Sequence, residues 1–194
     1  EEQIRQAYES RLNGSPSGFV KARVVNQDIR MGELVKKARV KQPGLIVVDR
    51  AVPGPYQDYL TPENRVPEKT LPYPWESCII MGGGWSYSYN PEFKSSRELI
   101  HMLVDIVAKG GNLLLNIGPS PEGTWYEKAY VILEDLGEWL DVNGEAIYNS
   151  RPVPPYKNGQ ICFTRQKNGL LYAVYLGSEG EMSPPSEIVI SSLS

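Results

Sequence analysis

Apolar positions recur along this chain with helical and strand periods, and they divide it into elements. Ile4, Tyr8 and Leu12 stand four apart within residues 1–13, which predicts an amphipathic helix with one narrow apolar stripe. Gly14-Ser15-Pro16-Ser17-Gly18 ends it, and residues 19–26 have strand character with basic residues interleaved. Met31, Leu34, Val35 and Ala38 predict a second helix over 31–42, stopped by Pro43-Gly44. Leu45-Ile46-Val47-Val48, β-branched at three positions of four, reads as a short buried strand. Ser77 to Met81 reads as another, decided by the flanking Gly82-Gly83-Gly84. Ser95 or Ser96 caps the next helix with Glu98 in its first turn. Its broad apolar face of Leu99, Ile100, Leu103, Val104, Ile106 and Val107 ends at Lys109-Gly110-Gly111. Leu113-Leu114-Leu115 continues into Asn116-Ile117-Gly118-Pro119 as a near-continuous hydrophobic strand, the pattern of one buried on both sides. Residues 126–142 carry Ile132, Leu136, Trp139 and Leu140 on one helical face, with Gly144 just past the end.

Helix and strand alternate from 31 to 143, which predicts an α/β fold with a parallel sheet, and long loops at one end favour part of a β/α barrel over an open sheet. Three strands are too few to close a barrel. Beyond the Pro-rich segment 151–155 the pattern changes. Strand-like runs at 160–166, 170–176 and 187–191, with turn signals at Asn168-Gly169 and Pro184-Pro185, predict an antiparallel β unit.

Composition narrows the classes. The 194 residues are 41% hydrophobic and 22% charged with a net charge of -3, which gives no electrostatic reason to expect nucleic acid or a membrane as partner. No apolar run is long enough to span a bilayer and no signal peptide opens the chain. A start at Glu1 without Met marks an expected processed or excised piece. Cys78 and Cys162, far apart in apolar surroundings, read as two buried thiols rather than a disulfide. His101 is the single histidine, so a structural zinc site is not expected, and its place in a helical pattern predicts a structural or surface role. No metal or organic cofactor is called for. Asn13-Gly14-Ser15 matches an N-glycosylation acceptor but carries no weight alone.

The chemistry concentrates between Asp49 and Glu76 and where strands hand over to loops. Asp49, Arg50, Asp58, Glu63, Glu68, Glu76 and Asn116 lie there among Tyr56, Tyr59, Tyr73, Trp75, Trp85, Tyr87, Tyr89 and Trp125. Carboxylates mixed with aromatic rings suit a carbohydrate, whose apolar faces stack on rings while its hydroxyls take polar hydrogen bonds. Gly82-Gly83-Gly84 lacks the following Lys-Ser/Thr of a phosphate loop, so turn chemistry or a close approach of the backbone to a ligand is expected.

Trp75-Glu76, the Gly-rich turn into Trp85-Ser86-Tyr87-Ser88-Tyr89-Asn90, Lys109-Gly110-Gly111 followed by 112–119, Gly123-Thr124-Trp125, Gly137-Glu138-Trp139-Leu140 and 143–148 resemble the α-L-fucosidases of glycoside hydrolase family 29. The resemblance runs over roughly 34–152. It implies the second half of a (β/α)8-like barrel over residues 1–152, followed over 153–194 by the start of an antiparallel β-sandwich. It also implies a retaining exo-glycosidase acting on fucosylated glycans, in a secreted, periplasmic or lysosomal setting. Asp49-Arg50 matches the family's strand-end pair, whose arginine holds a fucose hydroxyl. Thr61-Pro62-Glu63 matches the segment carrying the acid/base in many members and Glu76 the position assigned in others; Glu63 is favoured. Trp85 and Tyr87 compete for the aromatic set against the fucose methyl. The family's nucleophile aspartate and sugar-binding histidines lie upstream of the region matching Glu1, and none of Asp28, Asp49 or Asp58 sits in the nucleophile's motif. The chain is therefore expected to act only with a complementary N-terminal half; the alternative is a non-catalytic carbohydrate-binding or interaction fragment.

Overall fold

The computed structural model describes residues 29–50 and 54–190. The helix expected over 1–13, the break at 14–18, the strand at 19–26 and Asp28 lie outside the described residues. The chain divides into two compact units, 1–61 and 62–194, each described by itself.

In the first unit, helix α1 (Met31–Lys41) forms where the periodicity places it and buries Val35. Arg39 and Lys41 fill its last turn, the favourable end of the helix dipole for cations. The strand expected over 45–48 does not form. Val48 makes a single parallel bridge to Tyr59, Val47 is buried, and Ile46 is 68% exposed. Among the described residues the segment has one short partner, through Asp58 N–H to Val47 O (2.7 Å) and Asp49 N–H to Tyr59 O (3.2 Å), which is too little to make a ladder. Asp58 serves this local structure: one carboxylate oxygen accepts from Val47 N–H and from Arg39 Nη2, each at 2.6 Å.

In the second unit, β1 (Glu76–Ile80) pairs in parallel with β2 (Asn112–Asn116), with Glu76 opposite Asn112 and Ile80 opposite Asn116. Helix α2 (Ser96–Ala108) joins them. Ser95 caps it in a reciprocal box with Glu98, as the sequence predicts. Helix α3 (Glu127–Asn143) starts one residue inside its expected range because Tyr126 is the cap. Gly144 then takes a right-handed conformation and opens a 3-10 turn, Gly144–Ala146. Met81, Leu99, Ala129, Ile132 and Leu136 form one core where α2 meets α3. Val104, Ala108, Ile147, Cys162 and Leu176 form another between α2 and the antiparallel sheet.

That sheet has the order β3 (Arg151–Asn158), β4 (Ile161–Arg165), β5 (Leu171–Tyr175). The β4–β5 hairpin closes at Asn168-Gly169, where Gly169 has φ 91° and its N–H reaches Gln166 O at 2.9 Å. Two expectations change here. The Pro-rich segment is an edge strand with a register shift between Pro152 and Lys157; an edge position tolerates residues without an N–H because one flank needs no ladder. Residues 187–190 form no strand, and Ile188, Val189 and Ile190 are exposed.

Strand β2 is also less covered than its sequence predicts. Leu115 packs on the α2–α3 core, but Leu114, pointing the other way along the pleat, is 42% exposed. Within the described residues of this unit β2 pairs with β1 alone, and the face bearing Leu114 is only partly covered. Cys78 and Cys162 are two separate buried thiols, as expected. No described helix is long and apolar enough to cross a membrane.

Candidate active site

The carboxyl ends of β1 and β2 lead into two loops that lie against each other. Met81 N–H continues the ladder to Asn116 O (3.0 Å), and the Asn116 side chain donates to Trp85 O (3.1 Å). Gly118 lets the backbones meet, since a Cβ there would sit 2.4 Å from the Ser86 carbonyl carbon. Gly82 pairs with Phe93, and Gly83 N–H reaches Glu92 O at 3.2 Å. The glycine run thus supplies turn chemistry.

This junction carries an aromatic cluster. Tyr87 and Tyr126 stack with centroids 5.7 Å apart and planes 1° from parallel, while Tyr89 meets Tyr87 edge-on at 5.4 Å and Phe93 meets Tyr126 edge-on at 6.1 Å. The Tyr126 hydroxyl donates to Ser88 O (3.2 Å), so in the 2.9 Å contact between the two hydroxyls Tyr87 is the donor. That hydrogen bond, with burial and the nearby Tyr126, Tyr89 and Glu122, pushes the Tyr87 hydroxyl up to about 12. Trp85 (43% exposed) and Tyr89 remain open to solvent. Tyr126 and Phe93 escaped the sequence reading. Tyr126 was read as the first helical residue, and a stacking partner 39 positions away leaves no local pattern.

The candidate carboxylates occupy different levels. Glu63 is exposed and forms a parallel bridge with Cys78, through Cys78 N–H to Pro62 O (3.2 Å) and Asn64 N–H to Cys78 O (2.7 Å). Glu76 is the first residue of β1 and half-buried. The strand rise puts its Cα about 13 Å from that of Ile80, at the end opposite the aromatic loops. Trp75 does not join the aromatic cluster. It is buried beside Gly111, where a Cβ would lie 2.5 Å from its ring, and its indole N–H has no partner among the described residues. In the first unit Thr61 Oγ1 accepts from Arg50 Nε (2.7 Å) and donates to Asp49 Oδ1 (2.7 Å), so Asp49 and Arg50 are oriented by one hydroxyl.

Among the described residues no group of three or more His, Cys, Asp and Glu could hold a metal ion. His101 lies within α2, half-buried, and burial together with Arg97 and Lys157 holds its imidazole below the ordinary range. It borders two clefts away from the strand ends, one of about 350 Å³ with Trp139, Glu145 and Tyr172, the other of about 450 Å³ with Asp105, Lys157 and Gln160.

The chain is similar to known proteins over much of its length. Tissue alpha-L-fucosidase of Mus musculus is 35% identical over 125 residues, covering 61% of this chain and 28% of that protein. Alpha-L-fucosidase of Dictyostelium discoideum is 38% identical over 117 residues, covering 55% and 24%. The crystal structure of Thermotoga maritima alpha-fucosidase with a mechanism-based inhibitor aligns at 34% identity with a TM-score of 0.67, covering 76% of this chain and 35% of that one. The chain thus spans under a third of the length of these two curated relatives. The profile of the Alpha-L-fucosidase family matches residues 10–145, most of the chain, and on that match the chain belongs to the alpha-L-fucosidase family.

Proposed function

We propose that this chain is part of a retaining exo-α-L-fucosidase that hydrolyses terminal α-L-fucosyl linkages of glycans together with a complementary N-terminal half. The observation that carries the reading is the aromatic cluster at the carboxyl ends of two parallel strands, the end at which β/α folds build sites, in a chain of this family. Residues 1–152 would belong to the catalytic barrel and 153–194 to the start of a β-sandwich.

Glu63 is the acid/base. Glu76 is the weaker candidate because β1 carries it at the amino end, away from the aromatic loops. In the first step a carboxylate supplied upstream of Glu1 attacks the anomeric carbon while protonated Glu63 gives its proton to the departing glycosidic oxygen, releasing the alcohol. In the second, Glu63 as carboxylate takes a proton from water, whose oxygen attacks the anomeric carbon and frees the nucleophile, leaving fucose. Trp85 or Tyr87 offers an apolar face to the sugar methyl. Tyr87 is better ordered by its stack and Trp85 more open. Arg50 keeps its proposed role as ligand of a sugar hydroxyl.

The test is release of aryl alcohol from an aryl α-L-fucoside by the chain combined with its complementary half. Glu63→Gln should abolish turnover of unactivated fucosides and Glu76→Gln should leave most of it. The reverse pattern moves the acid/base to Glu76, and sugar binding without turnover favours a carbohydrate-binding fragment.

A further inference from the structure

We propose that Ser77 and Lys109 are positioning residues for Glu63, pinning the backbone on which it stands to β1 and to the end of α2. The proposal rests on Glu63 being the acid/base. The segment Pro62–Pro67 is irregular, and Asn64 within it has φ 48°. Its first half is tied to Cys78 by the two ladder hydrogen bonds, and Ile80 N–H adds a longer contact to the Asn64 side chain (3.4 Å). Past Asn64 the ladder stops, and side chains take over. Ser77 Oγ donates to Arg65 O at 2.9 Å, and Lys109 Nζ donates to Pro67 O at 2.9 Å.

Both donors are placed where a bland residue would serve packing as well. Ser77 is 0% exposed in a strand whose next residues are Cys78, Ile79 and Ile80, so an alanine there would pack without a hydroxyl to desolvate. Its hydroxyl is matched to one loop carbonyl, two residues after Glu63. Lys109 is 13% exposed and ion-paired to Asp105, itself 16% exposed and also paired with Lys157 at 3.2 Å. The ammonium is thus held in place before it reaches the loop. Two low-exposure donors, from a strand and a helix end, converge on the carbonyls of Arg65 and Pro67, past the point where the ladder to β1 stops. A general acid must stand within hydrogen-bond reach of the oxygen it protonates, and support of this kind holds that geometry.

Ser77→Ala, Lys109→Met and the double variant, assembled with the complementary half, test this on α-L-fucosides with alkyl or with activated aryl leaving groups. Acid catalysis matters in proportion to the basicity of the departing oxygen. On alkyl fucosides kcat should fall about tenfold for each single variant and about a hundredfold for the double, with KM nearly unchanged. On the activated aryl fucoside kcat/KM, which reports the first step, should change by less than about twofold, while kcat, limited by the water-activating step that also uses Glu63, should fall. Lys109→Arg should restore turnover, and amide exchange at Asn64 should quicken in each defective variant. Equal losses of kcat/KM on both leaving groups, or no loss on either, overturn the clamp while leaving Glu63 in place. If Glu63→Ala itself shows no leaving-group dependence and no rescue by azide, the acid/base reading fails and the positioning role fails with it.

Discussion

Gly118→Ala should part the two loops of the candidate site while leaving the sheet beneath them intact. A Cβ at 118 would lie 2.4 Å from the Ser86 carbonyl carbon, 2.5 Å from its oxygen and 2.6 Å from Tyr87 N, all backbone atoms with no rotamer to escape into. Ordinary contact begins near 3.4 Å, so the backbones must separate by about 1 Å. Overpacking of this kind costs about 1–3 kcal/mol, and loss of the Asn116 to Trp85 O bond adds about 1 kcal/mol. For a chain of this size a cost of about 2 kcal/mol lowers the melting temperature by about 4–8 °C. A displacement of about 1 Å at a reacting site is worth about a hundredfold in rate. Differential scanning calorimetry reads the first effect. Amide exchange, quickened at 85–90 and 117–124 but not in β1, reads its location. Gly137→Ala is the control: it lies inside α3 with nothing within 4 Å of its Cβ, and should stabilise by about 0.5–1 kcal/mol. A Gly118→Ala protein with unchanged melting temperature and unchanged exchange in both loops would refute the close-approach argument.

Three further outcomes follow from titratable groups. The Ser95 N–H holds the Glu98 carboxylate below its ordinary value of 4.5, so the unfolded chain binds the extra proton. The carboxylate's contribution is complete above about pH 4.5 and fades as pH falls through the depressed value; Glu98→Gln should destabilise at pH 7 and much less near pH 3 in urea titrations, whereas Ser95→Ala, which keeps the backbone N–H, should cost about 1 kcal/mol with little pH dependence. Burial pushes the Cys162 thiol up to about 11, from 9.0, so stability declines as pH rises from about 9 to about 11, and a thiol reagent at pH 8 should label Cys162 only after denaturant is added. For His101 the fold favours neutral imidazole, chiefly through burial. The unfolded chain binds more protons below about pH 6.5, so stability falls as pH drops below that value, and His101→Gln should flatten the slope in chemical-denaturation midpoints there.

Features written within a few residues were legible in the sequence. The stripe of Met31, Leu34, Val35 and Ala38, the Ser95–Glu98 box and the Asn168-Gly169 turn act within one or two turns of chain, and each formed where its residues stand. The family motifs, too, are linear strings. Features that depend on which segments pair were not legible. The run Leu45–Val48 has the residues of a buried strand but only one short partner among the described residues, and Arg151–Asn158 has the prolines of a linker but an edge to occupy. Leu114 lies in an apolar run yet is left half in solvent, because burial belongs to the layers around a strand rather than to the strand. The site divides the same way. Its residue types, carboxylates among tyrosines and tryptophans, were set by sequence alone. Tertiary structure decided that Trp75 is core, that Glu76 stands at the amino end of β1, and that Tyr126 reaches across 39 residues to stack on Tyr87. Strand direction and register, which no local pattern encodes, turn a list of polar and aromatic residues into the two ends of a sheet.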